Sequence, residues 1–406
     1  MECQRISKLT GLEPNRFDYA RAVSTLADTM KTRPVLAALL ATLLSSPSAV
    51  GNLVEFPSKS DVIGVMKTVN THWQKSHPDH GDAFWNRAVY HVGNLEAFQL
   101  TKDDEFLNYS EDWARSNDWK GAKSEKKEEW RYDYGENDRH VLFGDWQVCF
   151  QVYLELNKIS PEKKKIERAK EVFSYQIQTE PEDYLWWSDG LFMVMPTMSE
   201  LYRLTQDDAY LVKLRQYFDH ARDLMFDESA GLFFRDAKYV YPKHRTSNGK
   251  KDFWARGNGW VFAALPKVID DLPSDHPDRE HYLTVFRTMA ESLAGSQQED
   301  GYWTRSMFDP AHAPGPEASG TAFFTYGLVW GLRHGVLDEK RYVPIVAKAW
   351  NFLDGTAVQE DGSLGYVQPI GEKAIPGQVV DASSTADFGV GAFLMAAAEM
   401  ARYVDR

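Results

Sequence analysis

The sequence of 406 residues is poor in cysteine, with only Cys3 and Cys149. Two thiols cannot build a disulfide framework or a cysteine-based metal centre, and Cys149 lies in an apolar run, where a thiol is usually an inert small hydrophobe. Motifs of metalloproteases, phosphate-binding loops, serine hydrolases and dinucleotide-binding folds are also absent, and the 11 histidines lack metal-ligand spacing. We therefore expect no bound metal and no cofactor.

Positive charge is scarce as well, because 46 Lys and Arg stand against 59 Asp and Glu, a formal net charge of -13. Nucleic acids and anionic membranes attract basic surfaces, so neither is an expected partner. No apolar run is long enough to span a bilayer. Aromatic side chains, in contrast, make up 13% of the residues, and they fill helical cores or grip the faces of sugar rings. A small or oligomeric ligand fits this composition best.

The N-terminal region has a pattern typical of secretion. A basic start at Met30 is followed by an apolar run at residues 35–44, too short to cross a bilayer, and then by small residues. We expect residues 1–52 to comprise upstream residues and a signal peptide at about 30–51, so that the protein is secreted or periplasmic. Residues 53–406 would form a single catalytic domain. The alternative is a short N-terminal helix packed on that domain.

From about residue 61 the sequence shows helical periodicity, interrupted by recurring turns. Residues 100–107 and 204–211 share one pattern, in which an apolar helix end and a turn precede an Asp suited to cap the next helix. Looser versions occur at residues 157–161, 272–275 and 334–338. These five corners predict an all-α protein of about six helical hairpins. The hairpins would stack as an open solenoid or a closed ring, and long Trp- and Gly-rich loops favour a ring whose rim carries a site.

Two acidic residues precede or open helices on what would be one rim of the ring. Asp145 stands between a Gly and a Trp, and Asp189 closely follows the pair Trp186 and Trp187. Burial among aromatic rings raises the pKa of a carboxyl group, which is what a general acid at neutral pH requires. The alternative is that both residues are ordinary helix caps.

A third segment, residues 250–260, combines Trp254, Arg256 and Trp260 with two glycines at the start of an apolar helix. The glycines allow a ligand to approach the backbone, the guanidinium offers a planar fork for a carboxylate, and the indole rings offer stacking surfaces. These residues could clamp an acidic sugar. The alternative is a glycine-rich turn with a structural arginine.

The blocks WWSDGLFM, FWARGNGW and ASGTAFFTYGL, in this order, resemble glycoside hydrolase family 105, the unsaturated glucuronyl and rhamnogalacturonyl hydrolases related to family 88. The resemblance runs from about Trp85 to the C-terminus and implies an (α/α)6 toroid of six helical hairpins. The implied substrate is an oligosaccharide with a 4,5-unsaturated uronic acid at its non-reducing end, where a polysaccharide lyase leaves it.

The resemblance also implies residue roles in a hydration of the double bond. Asp189 would protonate C4 and activate the water that attacks C5, and Asp145 would be an assisting acid. Arg256 would line the uronate subsite together with the tryptophans Trp186, Trp187, Trp254 and Trp260.

The sequence departs from the family pattern in two places. Many members carry a His upstream of the Trp/Arg block, whereas Arg235 stands here, so Arg235 and His244 are candidates to bind the water or the carboxylate. The paired Asp of the first block is reduced to Asp145. Both differences suggest a neighbouring sugar other than that of rhamnogalacturonan, such as the sulfated rhamnose of ulvan. Basic residues that could meet a sulfate are Lys238, Lys243, Arg245, Lys250 and Lys251.

Two other functions stay open at this point: a polysaccharide lyase on a similar toroid, and a non-catalytic helical-repeat protein that binds carbohydrate. Lyases of this kind usually rely on Tyr and His bases, which the block around Asp189 does not supply. We expect a monomer or homodimer that acts on an acidic, unsaturated oligosaccharide.

Overall fold

Residues 56–406 are described by a computed structural model of the chain. The expected signal peptide at residues 30–51 lies outside this range. Twelve α-helices account for most of the described residues. They are α1 (Lys59–Ser76), α2 (Trp85–Thr101), α3 (Asp104–Ser116), α4 (Cys149–Ile159), α5 (Lys163–Gln176), α6 (Ser188–Thr205), α7 (Ala209–Met225), α8 (Ala255–Asp271), α9 (Arg279–Ser296), α10 (Ala318–Arg333), α11 (Glu339–Phe352) and α12 (Asp387–Val404).

Shorter elements lie in the connections. Two strands, β1 (Phe226–Asp227) and β2 (Leu232–Phe233), pair antiparallel between α7 and α8. Three 3-10 turns occur at Lys127–Glu129, Gly144–Trp146 and Asp183–Leu185, and a π-helical turn at Leu353–Ala357 follows α11.

The even-numbered helices form a closed inner ring. Each packs on the next in the order α2, α4, α6, α8, α10 and α12, and α12 packs back on α2. The odd-numbered helices surround this ring, each against an inner helix. The structure therefore confirms the all-α class and the toroid of six hairpins. None of the described helices has the length and hydropathy needed to cross a membrane.

The inner helices are apolar on nearly all sides, as burial in the middle of a protein requires. In α10 every residue from Ala318 to Leu332 is buried. Glycines permit the closest contact of the ring, between α2 and α12. A Cβ atom on Gly391 would lie 2.3 Å from the carbonyl oxygen of Val89, and one on Gly93 would lie 2.2 Å from that of Gly391.

All five predicted corners connect an inner helix to the next outer helix. Lys102 and Gln206 end α2 and α6 in the left-handed backbone region, at φ 56° and 59°. The carboxyl groups of Asp103 and Asp207 then accept hydrogen bonds from the backbone N–H groups of Glu105 and Ala209. The corners are short, whereas the connections from outer to inner helices are long. The long connections therefore gather at the end of the ring where the inner helices begin.

Candidate functional site

A cavity of about 510 Å³ opens at this end of the ring, and we call it the upper cavity. Its lining includes Asp145, Trp187, Asp189, Arg235 and Arg256, all of them residues that the sequence singled out. The volume falls in the range typical of small-molecule sites. The fold thus brings together side chains that are up to about a hundred residues apart in the sequence.

Asp189 is the second residue of α6. The N-cap position belongs to Trp187 and has no side-chain cap, so the helix-cap interpretation of Asp189 is wrong. The Oδ2 atom of Asp189 accepts a hydrogen bond from Ser188 Oγ at 3.0 Å and lies 3.8 Å from Arg235 Nε. Its side chain is only 15% exposed. Burial raises the pKa of Asp189, and the positive charges of Arg235 and Arg256 offset part of that rise.

Asp145 lies in the 3-10 turn before α4 and is buried. The turn approaches α6 closely because its first residue is a glycine: a Cβ atom on Gly144 would meet the side chains of Val194 and Trp187 at 3.0 and 3.2 Å. Burial raises the pKa of Asp145 well above its ordinary value, the charge of Asp189 raises it further, and Arg235 opposes both. Two carboxyl groups with raised pKa values thus share one cavity.

Arg235 follows the small sheet and is held beside the start of α6. Its carbonyl oxygen accepts the N–H of Ser188 at 2.8 Å, and its NH1 atom donates to Asp236 Oδ2 at 2.6 Å. The guanidinium lies 5.7 Å from the ring centre of Trp186. Within residues 56–406 the Nε atom has no hydrogen-bond partner. Arg235 and His244 are the two residues predicted to bind the water or the carboxylate, and of these Arg235 lines the cavity.

The guanidinium group of Arg256 already donates two hydrogen bonds to backbone carbonyl groups. The side chain is 1% exposed, NH1 donates to the carbonyl of Gln368 at 2.7 Å, and NH2 donates to that of Pro369 at 2.9 Å. The rings of Trp254 and Phe388 cover it at 4.6 and 4.8 Å. Two of the N–H groups of Arg256 therefore anchor the chain around residue 369, and its charge lies near Asp189. Its predicted contact with a uronate carboxylate stays a prediction.

Three predicted binding residues, unlike Arg256, are not among those that line the upper cavity. Trp254 is buried and donates its Nε1–H to Gln368 Oε1 at 2.8 Å. Trp260 is fully buried in the ring, 4.4 Å from the ring of Phe323. His244 pairs with Asp252 at 3.0 Å. Their positions support packing and loop anchoring rather than contact with a sugar.

The tandem tryptophans differ from each other in exposure. Trp187 is buried and lines the cavity, whereas Trp186 is half-buried beside it, with ring centres 4.5 Å apart.

Two of the basic residues named for a sulfate are paired elsewhere, because Lys250 contacts Asp309 and Lys251 contacts Asp227.

Several cavity residues were not predicted from the sequence. Tyr134, Glu136 and Glu372 lie in irregular connections, and Asn86 lies in the first turn of α2. No local motif marks these positions, since each is brought to the cavity by packing with remote segments.

Among the described residues, no cluster of three or more His, Cys, Asp or Glu side chains could hold a metal ion.

A second cavity, of about 480 Å³, opens at the opposite end of the ring, where the inner helices finish, and we call it the lower cavity. Many charged side chains line it, and most of them pair with one another. Glu399 contacts Arg333 at 2.5 Å and Arg402 at 3.2 Å, and Lys158 lies 2.9 Å from both Glu155 and Glu200.

A closed ring of helical hairpins with two buried carboxyl groups of raised pKa at its mouth is the arrangement of a toroidal enzyme that works through carboxyl chemistry. The chain belongs to Glycosyl Hydrolase Family 88, whose family model matches residues 60–404. This result confirms the resemblance seen in the sequence and makes the protein a glycoside hydrolase.

Two curated relatives carry the same name, unsaturated 3S-rhamnoglycuronyl hydrolase. The protein from Formosa agariphila is 31% identical over 340 residues, which cover 81% of this chain and 87% of that protein. The protein from Alteromonas sp. (strain LOR) is 41% identical over 214 residues, which cover 53% of this chain. That second match spans only half of the relative, 50% of its length.

Three solved structures are also similar over most of their length. A family 88 glycosyl hydrolase from Bacteroides vulgatus is 53% identical with a TM-score of 0.84, covering 86% of this chain and 100% of that one. A protein named as a polysaccharide lyase is 57% identical with a TM-score of 0.84, covering 86% and 98%. A protein from Salmonella enterica described as a possible member of family 105 shares the fold at 18% identity, with a TM-score of 0.70 and coverage of 86% and 95%.

Proposed function

We propose that this enzyme removes a 4,5-unsaturated uronic acid from the non-reducing end of oligosaccharides that a lyase has released, with ulvan-type rhamnoglucuronyl units as the preferred substrate and rhamnogalacturonan-type units as the second candidate. The observation that carries the proposal is Asp189, a carboxyl group with a raised pKa at the mouth of the ring, beside Trp187 and Arg235. The names of the two curated relatives support the choice of sugar.

The reaction needs one proton donor and one water. In its protonated form Asp189 gives its proton to C4, the electrons of the C4=C5 bond form the new C–H bond, and the ring oxygen stabilises the cation at C5. Water then adds to C5 and returns a proton to the Asp189 carboxylate. The hemiketal opens by cleavage of the bond between C5 and the ring oxygen, and the hemiacetal left at C1 releases the remaining saccharide.

The neighbouring groups have complementary roles in this proposal. Arg235, the cation closest to Asp189, binds the uronate carboxylate and orients C4 and C5. Asp145, kept protonated by its raised pKa, donates a hydrogen bond to a sugar hydroxyl and adds no repulsion toward the acidic substrate. Trp187 supplies the apolar wall that keeps the pKa of Asp189 high.

The lyase alternative requires a base that removes the C5 proton of an intact uronate. No histidine is among the residues that line the upper cavity within the described part of the chain. The phenol of Tyr134 donates a hydrogen bond to Glu136, and this contact together with burial raises its pKa to about 12, which makes it a weak candidate for a base. The cavity therefore supports the hydrolase over the lyase.

The test offers lyase-digested ulvan, rhamnogalacturonan and glycosaminoglycan separately to the purified full chain. The expected result is loss of the ultraviolet absorbance of the conjugated double bond with one class, unchanged by a chelator. A rise in absorbance with intact polymer would instead establish a lyase and overturn the proposal.

We also propose that the protein is secreted or periplasmic and is a monomer or homodimer. The support for export is the sequence pattern at residues 30–51. Cell fractionation followed by N-terminal sequencing tests the first statement, and sedimentation of the purified enzyme tests the second.

A further inference from the structure

Three hydrogen-bond donors converge on the outer side of the candidate site, and one carboxylate of the protein occupies their meeting point. Tyr239 donates its phenol O–H to Glu372 Oε1. Lys238 Nζ lies 3.2 Å from Glu372 Oε2, and Arg235 NH1 lies 3.5 Å from the same atom. A hydroxyl, an ammonium and a guanidinium around one point are typical donors for a tetrahedral oxyanion such as sulfate.

Glu372 can leave this position without disturbing the fold. Its side chain is 44% exposed, and it lies in an irregular stretch between α11 and α12. The stretch is anchored at residues 368 and 369 by the guanidinium of Arg256, and the amide of Gln368 donates to the carbonyl of Lys373. The backbone is therefore fixed, while within residues 56–406 the carboxylate at the tip is held by these three donors alone.

The charge of the upper cavity favours displacement of the Glu372 carboxylate when an acidic substrate binds. With Asp145 and Asp189 protonated, as the proposed function requires, the lining still holds three carboxylates beside the guanidinium groups of Arg235 and Arg256, namely Asp82, Glu136 and Glu372. An acidic substrate therefore enters a cavity in which carboxylates outnumber guanidinium groups. If its own anion takes the place of Glu372, that carboxylate moves outward into water and the unfavourable charge near the substrate falls.

Arg235 indicates which substrate anion lies at this point. Its Nε atom is directed toward Asp189, where the proposed reaction places the uronate, whereas its NH1 atom is directed toward Asp236 and Glu372. Lys238 is 65% exposed, so the Glu372 position lies toward the opening of the cavity. The sugar next to the uronate lies on that outer side.

We propose that Arg235, Lys238 and Tyr239 form a subsite for the sulfate on the sugar next to the unsaturated uronate, and that Glu372 occupies this subsite in the free enzyme. The subsite rests on the proposed function for its substrate. Glu372 thus competes with the substrate for this subsite. A sulfated oligosaccharide displaces the Glu372 carboxylate, whereas an oligosaccharide with a neutral neighbouring sugar leaves it in place.

The first experiment measures binding of inorganic sulfate to the full chain and needs no turnover. Glu372→Gln removes the competing charge, so the thermal shift with sulfate should give a dissociation constant lower by roughly threefold to tenfold, with chloride at matched ionic strength as reference. Glu360→Gln, an exposed acidic residue outside the cavity, is the matched control and should bind as the parent does. Lys238→Ala in the Glu372→Gln background should abolish the gain.

The second experiment compares unsaturated oligosaccharides with and without the sulfate. Glu372→Gln should lower KM severalfold for the sulfated substrate and have a clearly smaller effect on the desulfated one. A rise in KM for the sulfated substrate, or an equal gain for both, would overturn the subsite. Tighter sulfate binding in an enzyme that consumes no unsaturated sugar would keep the subsite and reject the proposed function.

Discussion

The two cavities of the ring are similar in size, about 510 and 480 Å³, but opposite in electrostatic design. In the lower cavity most carboxylates, among them Glu96, Glu200 and Glu399, have cationic partners. Cations also occupy the last turns of the helices that end there: Lys158, Arg203, Arg333 and Arg402. Positive charge at a helix C-terminus is also favoured by the helix dipole. This end of the ring is arranged for stability.

The upper cavity leaves its charges incompletely satisfied. Asp189 is 3.8 Å from its nearest cation, Asp145 has a pKa well above the ordinary range, and Arg235 has an Nε atom without a hydrogen bond in the described chain. Unsatisfied charge of this kind is costly and is typical of sites that act on a ligand. Cavity size and charge count alone do not separate the two ends of the ring, whereas the pairing of the charges does.

The largest effect is expected from Asp189→Asn. The amide cannot supply the proton, so kcat should fall by about 10³-fold on unsaturated oligosaccharide, followed as loss of ultraviolet absorbance. The melting temperature should stay equal or rise, because a buried carboxyl without a strong partner is removed. The control is Arg203→Gln in the lower cavity, which should keep its activity. Retention of more than a tenth of the parent rate by Asp189→Asn would contradict the role of this residue.

Glu399→Gln should have the opposite outcome, a loss of stability without a loss of catalytic activity. Glu399 is buried and contacts Arg333 and Arg402, so its removal leaves two guanidinium groups without their shared partner. The free energy of unfolding should fall by about 2 kcal/mol, less than for a fully buried pair because both arginines are partly exposed. Urea unfolding measures the change, and kcat of the folded enzyme should equal that of the parent. A drop in kcat with unchanged stability would show that the lower cavity contributes to the reaction.

The fold could be predicted largely from local sequence patterns. Every one of the five predicted corners occurs, because helix ends, αL caps and capping Asp residues such as Asp103 are encoded within a few residues. The acids Asp145 and Asp189 were located for a related reason: each stands at the start of an inner helix, and the ring brings these starts to one mouth.

The remaining site residues depend on contacts that sequence spacing does not reveal. Gln368, which lies over a hundred residues further along the chain, accepts hydrogen bonds from both Trp254 and Arg256, and no spacing in the sequence reveals these contacts. Trp260 is one helical turn beyond Arg256 and faces the interior of the ring. No feature of the sequence marks Glu372, since an acidic residue in an irregular loop looks the same as any other solvent-exposed acidic residue.

The difference between the cavities should also appear in the pH dependence of activity. Because Arg235 lowers the pKa of Asp189, Arg235→Gln should raise that pKa and keep the acid protonated to higher pH. The alkaline limb of the kcat profile should move upward by about one pH unit, while KM increases through loss of the uronate contact. Arg203→Gln, which removes a cation from the lower cavity, should leave the limb where it is. If the alkaline limb of the kcat profile did not move in Arg235→Gln, a group other than Asp189 would be donating the proton to the substrate.

The smallest effect is expected from Asp271, the one lower-cavity carboxyl whose pKa is raised, to about 7, first by burial and then by the charge of Glu200. The folded protein holds this proton more tightly than the unfolded chain, so stability is lost as the pH rises from about 4 to about 7 and stays reduced above that. Asp271→Asn should therefore stabilise the protein by about 1 kcal/mol at pH 8 and by less at pH 5, as melting temperatures at the two pH values would show. Its amide can still accept the hydrogen bond that Ser199 donates to Asp271 at 2.7 Å. An equal change at both pH values would mean that the pKa of Asp271 is not raised in the folded protein.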